Sequence, residues 1–272
     1  RRYGKQDLGA IAPGYVADLV LVDSFDTMHV SDVYIAGEQK VADGELITEI
    51  TTDVSPQLKN TVRLPELCED DFTIHVPSKD QKVKLTTIEV TDTGMTVRGT
   101  VEAKAEEGRI TSLPPDHVFV SVTGRYGQNR KPFVGVLKGS GLTNGAYGTT
   151  VAHDSHNLIV AGTNARDMLL AAHELQACGG GLCLTRDGQV LAKIELPIAG
   201  LMAHEPIEVL GPKVEAFSKA AVNMGVAVGR RSPAMALSSL CLTVQPEIRI
   251  SDLGLVDVAG QQFIPLCSEA VD

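Results

Sequence analysis

The sequence predicts an α+β fold, in which a small β unit precedes a mixed domain with a largely antiparallel sheet. Two observations predict it. Between residues 72 and 136, short runs rich in β-branched residues are separated by Gly, Pro or charged turns, as in antiparallel strands. After Asn157 the apolar spacing changes, because Met168, Ala171 and Leu175 recur at helical intervals. Strands therefore dominate the first part of the larger domain, and helices enter in the second.

The chain divides into three stretches. Residues 1–50 carry two short β-rich runs, 16–22 and 30–36, and two hairpin-type turns, which indicate a small β unit. Residues 51–68 contain Pro56 and Pro65 and little periodicity, which predicts a linker. Residues 69–272 then form the α+β domain.

Up to residue 185, the larger domain is predicted as a series of strands followed by a strand–helix–strand unit. The Gly/Thr-rich segment 139–150 and residues 124–131 are expected to be loops. Asn164 is expected to cap the helix and Gly179 to end it. The predicted strands cover 72–76, 83–90, 95–103, 117–122, 133–136, 158–161 and 182–185.

Beyond residue 185, turn residues 186–188 predict a hairpin into a strand over 189–196. Apolar residues from Ile207 to Met224 step by three and four, which predicts one apolar helix face. Proline lacks the amide hydrogen that a helix interior needs, so Gly211–Pro212 is expected to kink or split this helix. Residues 234–244 fit a helix or a buried strand, and the last strands are expected at 247–250 and 255–258.

Composition narrows the classes of function. The chain has 272 residues, 43% of them hydrophobic, and a formal net charge of −10. That charge gives no support for binding the phosphates of nucleic acid without sequence preference. The apolar runs are too short to cross a bilayer, so no membrane partner is expected. Five scattered cysteines without a Cys-x-x-Cys, and a start at Arg1 without a secretory signal, predict a cytoplasmic location and suggest a fragment.

The densest polar cluster consists of His153, Asp154, Ser155, His156 and Asn157, at the entrance to a predicted strand. Two imidazoles and a carboxylate are ligands that a metal accepts. They are also groups that move protons near neutral pH. Equally, these groups could form hydrogen bonds with one another and with the buried backbone of the loop. A functional and a purely structural interpretation therefore both stay open. A nucleophilic role for Ser155 is disfavoured, because the strand–turn–helix elbow that exposes such a serine is absent.

Two further segments are notable. Gly179–Gly181 follows a helix, whereas phosphate loops precede one, so helix termination is the preferred interpretation. The loop over residues 197–202 is apolar yet irregular, which makes it a candidate for an interface. No structural zinc site is expected at Cys178 and Cys183, since no second ligand pair accompanies them.

Several motifs carry a resemblance to a known family. The run from Leu8 to Asp23 resembles the segment by which metal-dependent amidohydrolases return from their catalytic barrel to a small β-sandwich. Four later motifs are together similar to the C-terminal region of bacterial adenine deaminases. They cover residues 151–157, 179–182, 196–202 and 246–257.

This resemblance implies hydrolysis of adenine to hypoxanthine and ammonia. A divalent metal, manganese or iron and possibly zinc, would supply hydroxide at neutral pH by lowering the pKa of its bound water. In that family the metal ligands lie on barrel strands and include a His-x-His pair, which this chain lacks. A barrel needs ~250 residues of repeated strand–helix units, so the TIM-type barrel is expected to be absent from this chain. We therefore expect no metal ligand here.

The resemblance also implies a role for the cluster at residues 153–157. It would face the mouth of the absent barrel and close or orient the site, while the isolated chain would be inactive. The expected partners are adenine, the barrel portion of the same protein and further copies in a homo-oligomer. Residues 1–50 would lack half their sandwich partners, leaving sheet edges that invite pairing.

Two alternatives remain. The larger domain could be a structural or oligomerisation module that contacts its partner through residues 197–202 and 207–224. The chain could instead belong to an amidohydrolase that acts on another cyclic amide or aminopurine.

Overall fold

A computed structural model describes residues 4–48, 53–77, 82–226 and 232–267. The contacts divide the chain into two compact units, Arg1–Val54 and Ser55–Asp272. Of the expected linker, residues 51 and 52 lie outside the described ranges. Residues 55–68 belong to the second unit, where Val62 and Leu67 are buried.

The first unit is a four-stranded antiparallel sheet whose strands pair in chain order. The strands are β1 (Leu19–Val22), β2 (Val30–Ile35), β3 (Glu38–Ala42) and β4 (Glu45–Leu46). None of the residues described between 4 and 48 is buried within the chain. Val20 and Ile35, for example, are 61% and 53% exposed. The predicted β unit is present, with β1 and β4 as its edges.

The second unit is built on a mixed eight-stranded sheet, and its described residues form no barrel. Its strands and helices are β5 (Ile74–His75), β6 (Lys82–Val90), β7 (Thr96–Lys104), β8 (Arg109–Ile110), β9 (His117–Thr123), β10 (Phe133–Lys138), β11 (Ala146–Thr149), β12 (Leu158–Gly162), α1 (Ala165–Ala177), β13 (Gly181–Arg186), β14 (Gln189–Glu195), α2 (Ile207–Asn223), β15 (Ile248–Ser251), β16 (Gly254–Asp257) and β17 (Gln262–Ile264). The large sheet has the order β14-β13-β11-β12-β9-β10-β6-β7, and only the β10–β6 pair in it is parallel. The α+β prediction is therefore confirmed.

Both faces of this sheet are buried, because side chains alternate along each strand. On β9, Val118 and Val120 point into the core on one face, whereas Phe119 belongs to the core on the other. The first core includes Phe217 of α2, and the second includes Leu175 of α1. The two helices thus cover opposite faces of the sheet. The loops that connect the strands lie at the strand ends.

The structure corrects one predicted loop. Residues 146–149, inside the Gly/Thr-rich segment, form β11, an interior strand of the sheet between β13 and β12. The sequence did not predict this strand because Gly148, which has no side chain, has a low preference for strands. An ideal Cβ at Gly148 would lie 3.0 Å from Leu175 Cδ1, so the glycine lets α1 pack closely on the sheet.

One further expectation is wrong, and another is wrong in part. Residues 234–244 form neither a long helix nor a strand, but a 3₁₀ turn at Pro233–Met235 followed by irregular turns. Pro212 does not split α2, which runs unbroken from Ile207. Since proline occupies the second turn, few internal hydrogen bonds precede it, and the amides that follow continue the helix.

Candidate functional site

The cluster predicted at residues 153–157 lies along the edge of the large sheet that is formed by the ends of its strands. Strands β9, β11 and β14 end at this edge, and β12 and β13 begin there, since their neighbours are antiparallel. Thr123 at the end of β9 faces Leu158, and Gly181 at the start of β13 faces Glu195. Three connections therefore meet at this edge: residues 124–130, 150–157 and 196–202.

The loop at residues 153–157 is held mainly through its backbone. The His153 amide donates to the Ser238 carbonyl at 2.8 Å, and the His156 amide donates to the Ala152 carbonyl at 2.6 Å. The Tyr126 hydroxyl donates to the Ser155 carbonyl at 2.5 Å. Asp154 and Ser155 are exposed, while the side chain of Asn157 is buried. The loop thus presents its polar side chains from a fixed backbone.

His156 is the most unusual residue of this loop. Its φ of 49° lies in the left-handed region, which costs a non-glycine residue about 1 kcal/mol or more. Its Nδ1 is buried without a hydrogen-bond partner among the residues that the structure describes. Burial, with smaller contributions from His153 and Arg125, lowers the pKa of His156, and Asp154 only partly opposes this. The imidazole is therefore neutral at neutral pH.

The rings of His153 and His156 lie edge to face, with centroids 5.8 Å apart. In the described ranges no group of three or more His, Cys, Asp or Glu side chains is arranged to hold a metal ion. Within the described residues, the two imidazoles and Asp154 therefore do not form a three-ligand group.

Arg125 is a residue that the sequence prediction missed, because it fell inside a segment expected to be a loop. It directly follows Gly124 at the end of β9 and is only 2% exposed. Its Nη2 donates to the Ala199 carbonyl at 2.9 Å. Its Nε and Nη1 have no hydrogen-bond partner in the described part of the chain. A strand end followed by Gly-Arg-Tyr-Gly was the available signal, since strand ends often carry functional side chains.

Asp252 is a second residue that the prediction did not single out. It lies in the turn between β15 and β16. Its Oδ1 accepts a hydrogen bond from Asn157 Nδ2 at 3.3 Å, and its Oδ2 pairs with Arg130 at 3.4 Å. This carboxylate therefore anchors the end of the 153–157 loop.

The loop at residues 197–202 closes over the same edge. Ile198 and Met202 exchange backbone hydrogen bonds at 3.1 Å, and Ala199 and Gly200 both have positive φ. The buried Thr150 hydroxyl donates to the Gly200 carbonyl at 2.7 Å and accepts from the Gly181 amide at 2.8 Å. This threonine ties the loop to the glycine turn that ends α1.

Gly179–Gly181 terminates α1. The Gly180 amide donates to the Leu175 carbonyl at 2.8 Å, and the Gly179 amide donates to the Gln176 carbonyl at 3.2 Å. An ideal Cβ at Gly180 would lie 2.5 Å from the Gly200 Cα, so this turn also allows the close approach of the 197–202 loop.

Comparison with known proteins identifies the larger unit. Residues 93–262 match the family model described as the adenine deaminase C-terminal domain. An adenine deaminase of Moorella thermoacetica is 36% identical over 265 residues, covering 96% of this chain and 44% of that protein. Adenine deaminases of Kosmotoga olearia and Nitratidesulfovibrio vulgaris are 34% and 36% identical, and the match covers 46% and 45% of their lengths.

The chain thus spans about half the length of these curated relatives. The family model covers most of the second unit, including β9, the 153–157 loop, the 197–202 loop and Asp252. By sequence and by the motifs that build this edge, the chain belongs to the adenine deaminase C-terminal domain family.

Proposed function

We propose that this chain is the C-terminal part of an enzyme that hydrolyses adenine to hypoxanthine and ammonia. The proposal rests on the family match over residues 93–262 and on relatives that carry the name adenine deaminase. The edge around His156 supports a contribution to the reaction. A neutral imidazole with an unpartnered buried Nδ1 is an unusual feature for a loop with a purely structural role.

In this proposal the loop at residues 153–157 faces the substrate site of the complete enzyme and closes or orients it. His156 offers a neutral ring that donates a hydrogen bond at one nitrogen and accepts one at the other, which suits the edge of a purine base. A neutral imidazole near pH 7 also suits accepting a proton, for example from the attacking water, and then passing it to the leaving amine. Asp252 and Tyr126 hold the loop so that these groups stay in place.

The metal of the reaction, manganese or iron and possibly zinc, would be held by residues outside this chain. Among the described side chains, no group of three or more His, Cys, Asp or Glu is placed to hold a metal ion. The isolated chain should accordingly be inactive. Purified 272-residue protein assayed with adenine and added Mn²⁺, Fe²⁺ or Zn²⁺ should release no ammonia. Turnover by this chain alone would contradict the proposal.

The role of the loop is tested in the complete enzyme with His153→Ala and His156→Ala. Loss of a proton-transfer group lowers kcat by about 10²-fold or more, whereas loss of a substrate hydrogen bond raises KM. His173→Ala is the matched control, because His173 is an exposed histidine on α1. If both loop variants kept the turnover and the adenine KM of the control, the loop would have no such role.

A second candidate function is oligomerisation, with further copies of the same protein as partners. Exposed apolar residues support it: Ile207 is 70% and Val222 57% exposed on α2, and Met202 is 55% exposed in the neighbouring loop. Light scattering would give the mass in solution, and Val222→Lys should lower it if α2 forms the contact. If Val222→Lys lowered the activity of the complete enzyme while His153→Ala and His156→Ala left it unchanged, the result would favour the structural role.

Other substrates and partners are tested separately. Deamination of adenine, guanine and cytosine by the complete enzyme distinguishes an adenine deaminase from an amidohydrolase acting on another ring. We propose a cytoplasmic protein without nucleic acid or membrane partners, in keeping with its net charge of −10. No helix in the described ranges is long and apolar enough to cross a membrane.

A further inference from the structure

Four neighbouring residues hold buried polar atoms that have no hydrogen-bond partner in the described part of the chain. They are Thr61, Thr123, Arg125 and His156. Thr123 is paired with Leu158, two residues after His156. The Arg63 amide donates to the Arg125 carbonyl at 2.8 Å, which places Thr61 beside the end of β9. The unpartnered atoms therefore gather at one edge of the sheet.

Arg125 dominates the energetics of this group. A guanidinium stays charged throughout the pH range of proteins, so it cannot escape the cost of burial by losing its proton. Among the described residues, Arg125 donates one hydrogen bond, to a neutral carbonyl, and its Cζ lies 5.2 Å from the centroid of the Tyr126 ring, but it forms no ion pair. An unpaired buried charge is strongly destabilising, which makes a compensating group necessary.

The carboxylates near Arg125 do not supply that group. Asp252 accepts from Asn157 and pairs with Arg130. Asp154 is exposed, and its charge is felt at His156 without forming an ion pair with Arg125. Of the other residues near the guanidinium, His156 lies within electrostatic reach and the centroid of the Tyr126 ring lies 5.2 Å from Cζ, and neither residue has a carboxylate.

We propose that Arg125 pairs with an Asp or Glu carboxylate carried by a segment of the complete protein that lies outside residues 1–272. Relatives are about twice the length of this chain, so such a segment has ample sequence from which to come. The proposal concerns assembly of the protein, and it holds whichever substrate the enzyme takes.

A carboxylate fits better than the alternatives. Water offers acceptor oxygens but leaves the charge uncompensated. A dissolved anion needs an open path, whereas Nε and Nη1 are closed off from solvent in this chain. A side chain on a packed segment can be built in as the complete protein folds. It would enter beside the backbone of Ala199 and Gly200, which covers the guanidinium with no side chain larger than a methyl group.

The test compares Arg125→Met in two contexts, the 272-residue chain and the complete protein. Arg249→Met is the matched control, because Arg249 is equally buried but donates to acceptors within this chain, among them the Ile248 and Pro246 carbonyls. Arg125→Met should lower the thermal midpoint of the complete protein by about 5 °C or more. In the 272-residue chain it should leave the midpoint unchanged or raise it, since it removes an unpaired charge.

Arg249→Met should lower the midpoint in both contexts. An equal loss for Arg125→Met in both contexts would place the partner inside this chain and overturn the proposal. Sodium acetate should not stabilise the 272-residue chain in an Arg125-dependent way, because such an effect would indicate a site for a dissolved anion instead. These experiments measure stability and not turnover. The pairing of Arg125 can therefore be disproved while the proposed deamination still holds, and the deamination can be disproved while the pairing still holds.

If the 272-residue chain does not fold alone, the complete protein provides the test. Each Asp and Glu outside residues 1–272 is changed to Asn or Gln, with Arg125 present and with Arg125→Met. One of these substitutions should lower the thermal midpoint in the first background and lose most of its effect in the second. If every substitution acted equally in both backgrounds, no carboxylate would be paired with Arg125.

Discussion

The Nη1 of Arg125 occupies the space that a Cβ on residue 200 would need. Gly200 has a φ of +69°, and the preceding carbonyl of Ala199 accepts the hydrogen bond from Arg125. The same loop is fastened on its other side by Thr150, which donates to the Gly200 carbonyl. Because residue 200 is a glycine, the buried guanidinium of Arg125 and the left-handed turn of the 197–202 loop both fit at this edge of the sheet.

Gly200→Ala should destabilise the second unit by about 2 kcal/mol or more, because the added methyl both collides with Arg125 and strains a positive φ. Urea unfolding of the 272-residue chain measures the loss. Gly211→Ala is the matched control, since a Cβ there meets nothing within 4 Å and lies within α2. Its effect should stay below about 1 kcal/mol in either direction, because the gain from replacing a helix glycine is opposed by contact of the new methyl group with the Pro212 ring. Equal stabilities for the two variants would show that Gly200 is not under constraint.

Tyr126→Phe should loosen the 153–157 loop while preserving the aromatic ring beside Arg125. The lost hydrogen bond to the Ser155 carbonyl is worth about 0.5–1 kcal/mol at this half-exposed position. Amide hydrogen exchange in residues 153–157 should accelerate. Tyr15→Phe serves as the control, because the Tyr15 hydroxyl makes no hydrogen bond to the residues described between 4 and 48. Unchanged exchange in the loop would mean that the backbone bonds alone hold it.

The sequence predicted elements whose signals are local. Spacing of Met168, Ala171 and Leu175 revealed α1, and the Asn164 side chain accepts from the Asp167 amide, as a cap should. Strand β11 escaped because its glycine is required by a helix distant in sequence, which no local pattern records. The prediction that Pro212 could split helix α2 overestimated its effect, because that effect depends on the position of the proline within the helix.

The candidate site was predicted only in part, for a similar reason. His156 was visible because the chain has only seven histidines, so that two of them three positions apart stand out. Arg125 and Asp252 lie 31 and 96 residues from it in sequence, at other strand ends. Their relation to the loop arises from the strand order β12-β9 and from packing against the β15–β16 turn. Long-range pairing of this kind cannot be read from spacing along one chain.

Thiol reactivity should report the packing of the second unit. Burial raises the pKa of both Cys183 and Cys241 to about 12, whereas Cys68 is exposed. Because the thiolate is the reactive form, an alkylating reagent at about pH 8 should modify Cys68 first and these two last. Peptide mass mapping after timed quenching gives the order. All five cysteines should react together in denaturant, and early labelling of Cys241 in the native chain would contradict the packing described.

The stability of the chain should fall on acidification in a way that depends on His156. Its folded-state pKa is lowered by burial, by His153 and by Arg125, so the unfolded chain binds the proton more readily than the folded one. The stabilising contribution is therefore present above the unfolded value of about 6.5 and is lost as the pH falls through and below it. His156→Gln removes the titrating group and should flatten the decline in the urea midpoint between about pH 7.5 and 5.5. His173→Gln, which changes an exposed histidine on α1, controls for the loss of an imidazole elsewhere. If His156→Gln and the unchanged chain declined in parallel, the imidazole would not sit in the buried, cationic surroundings that make it suitable for proton transfer.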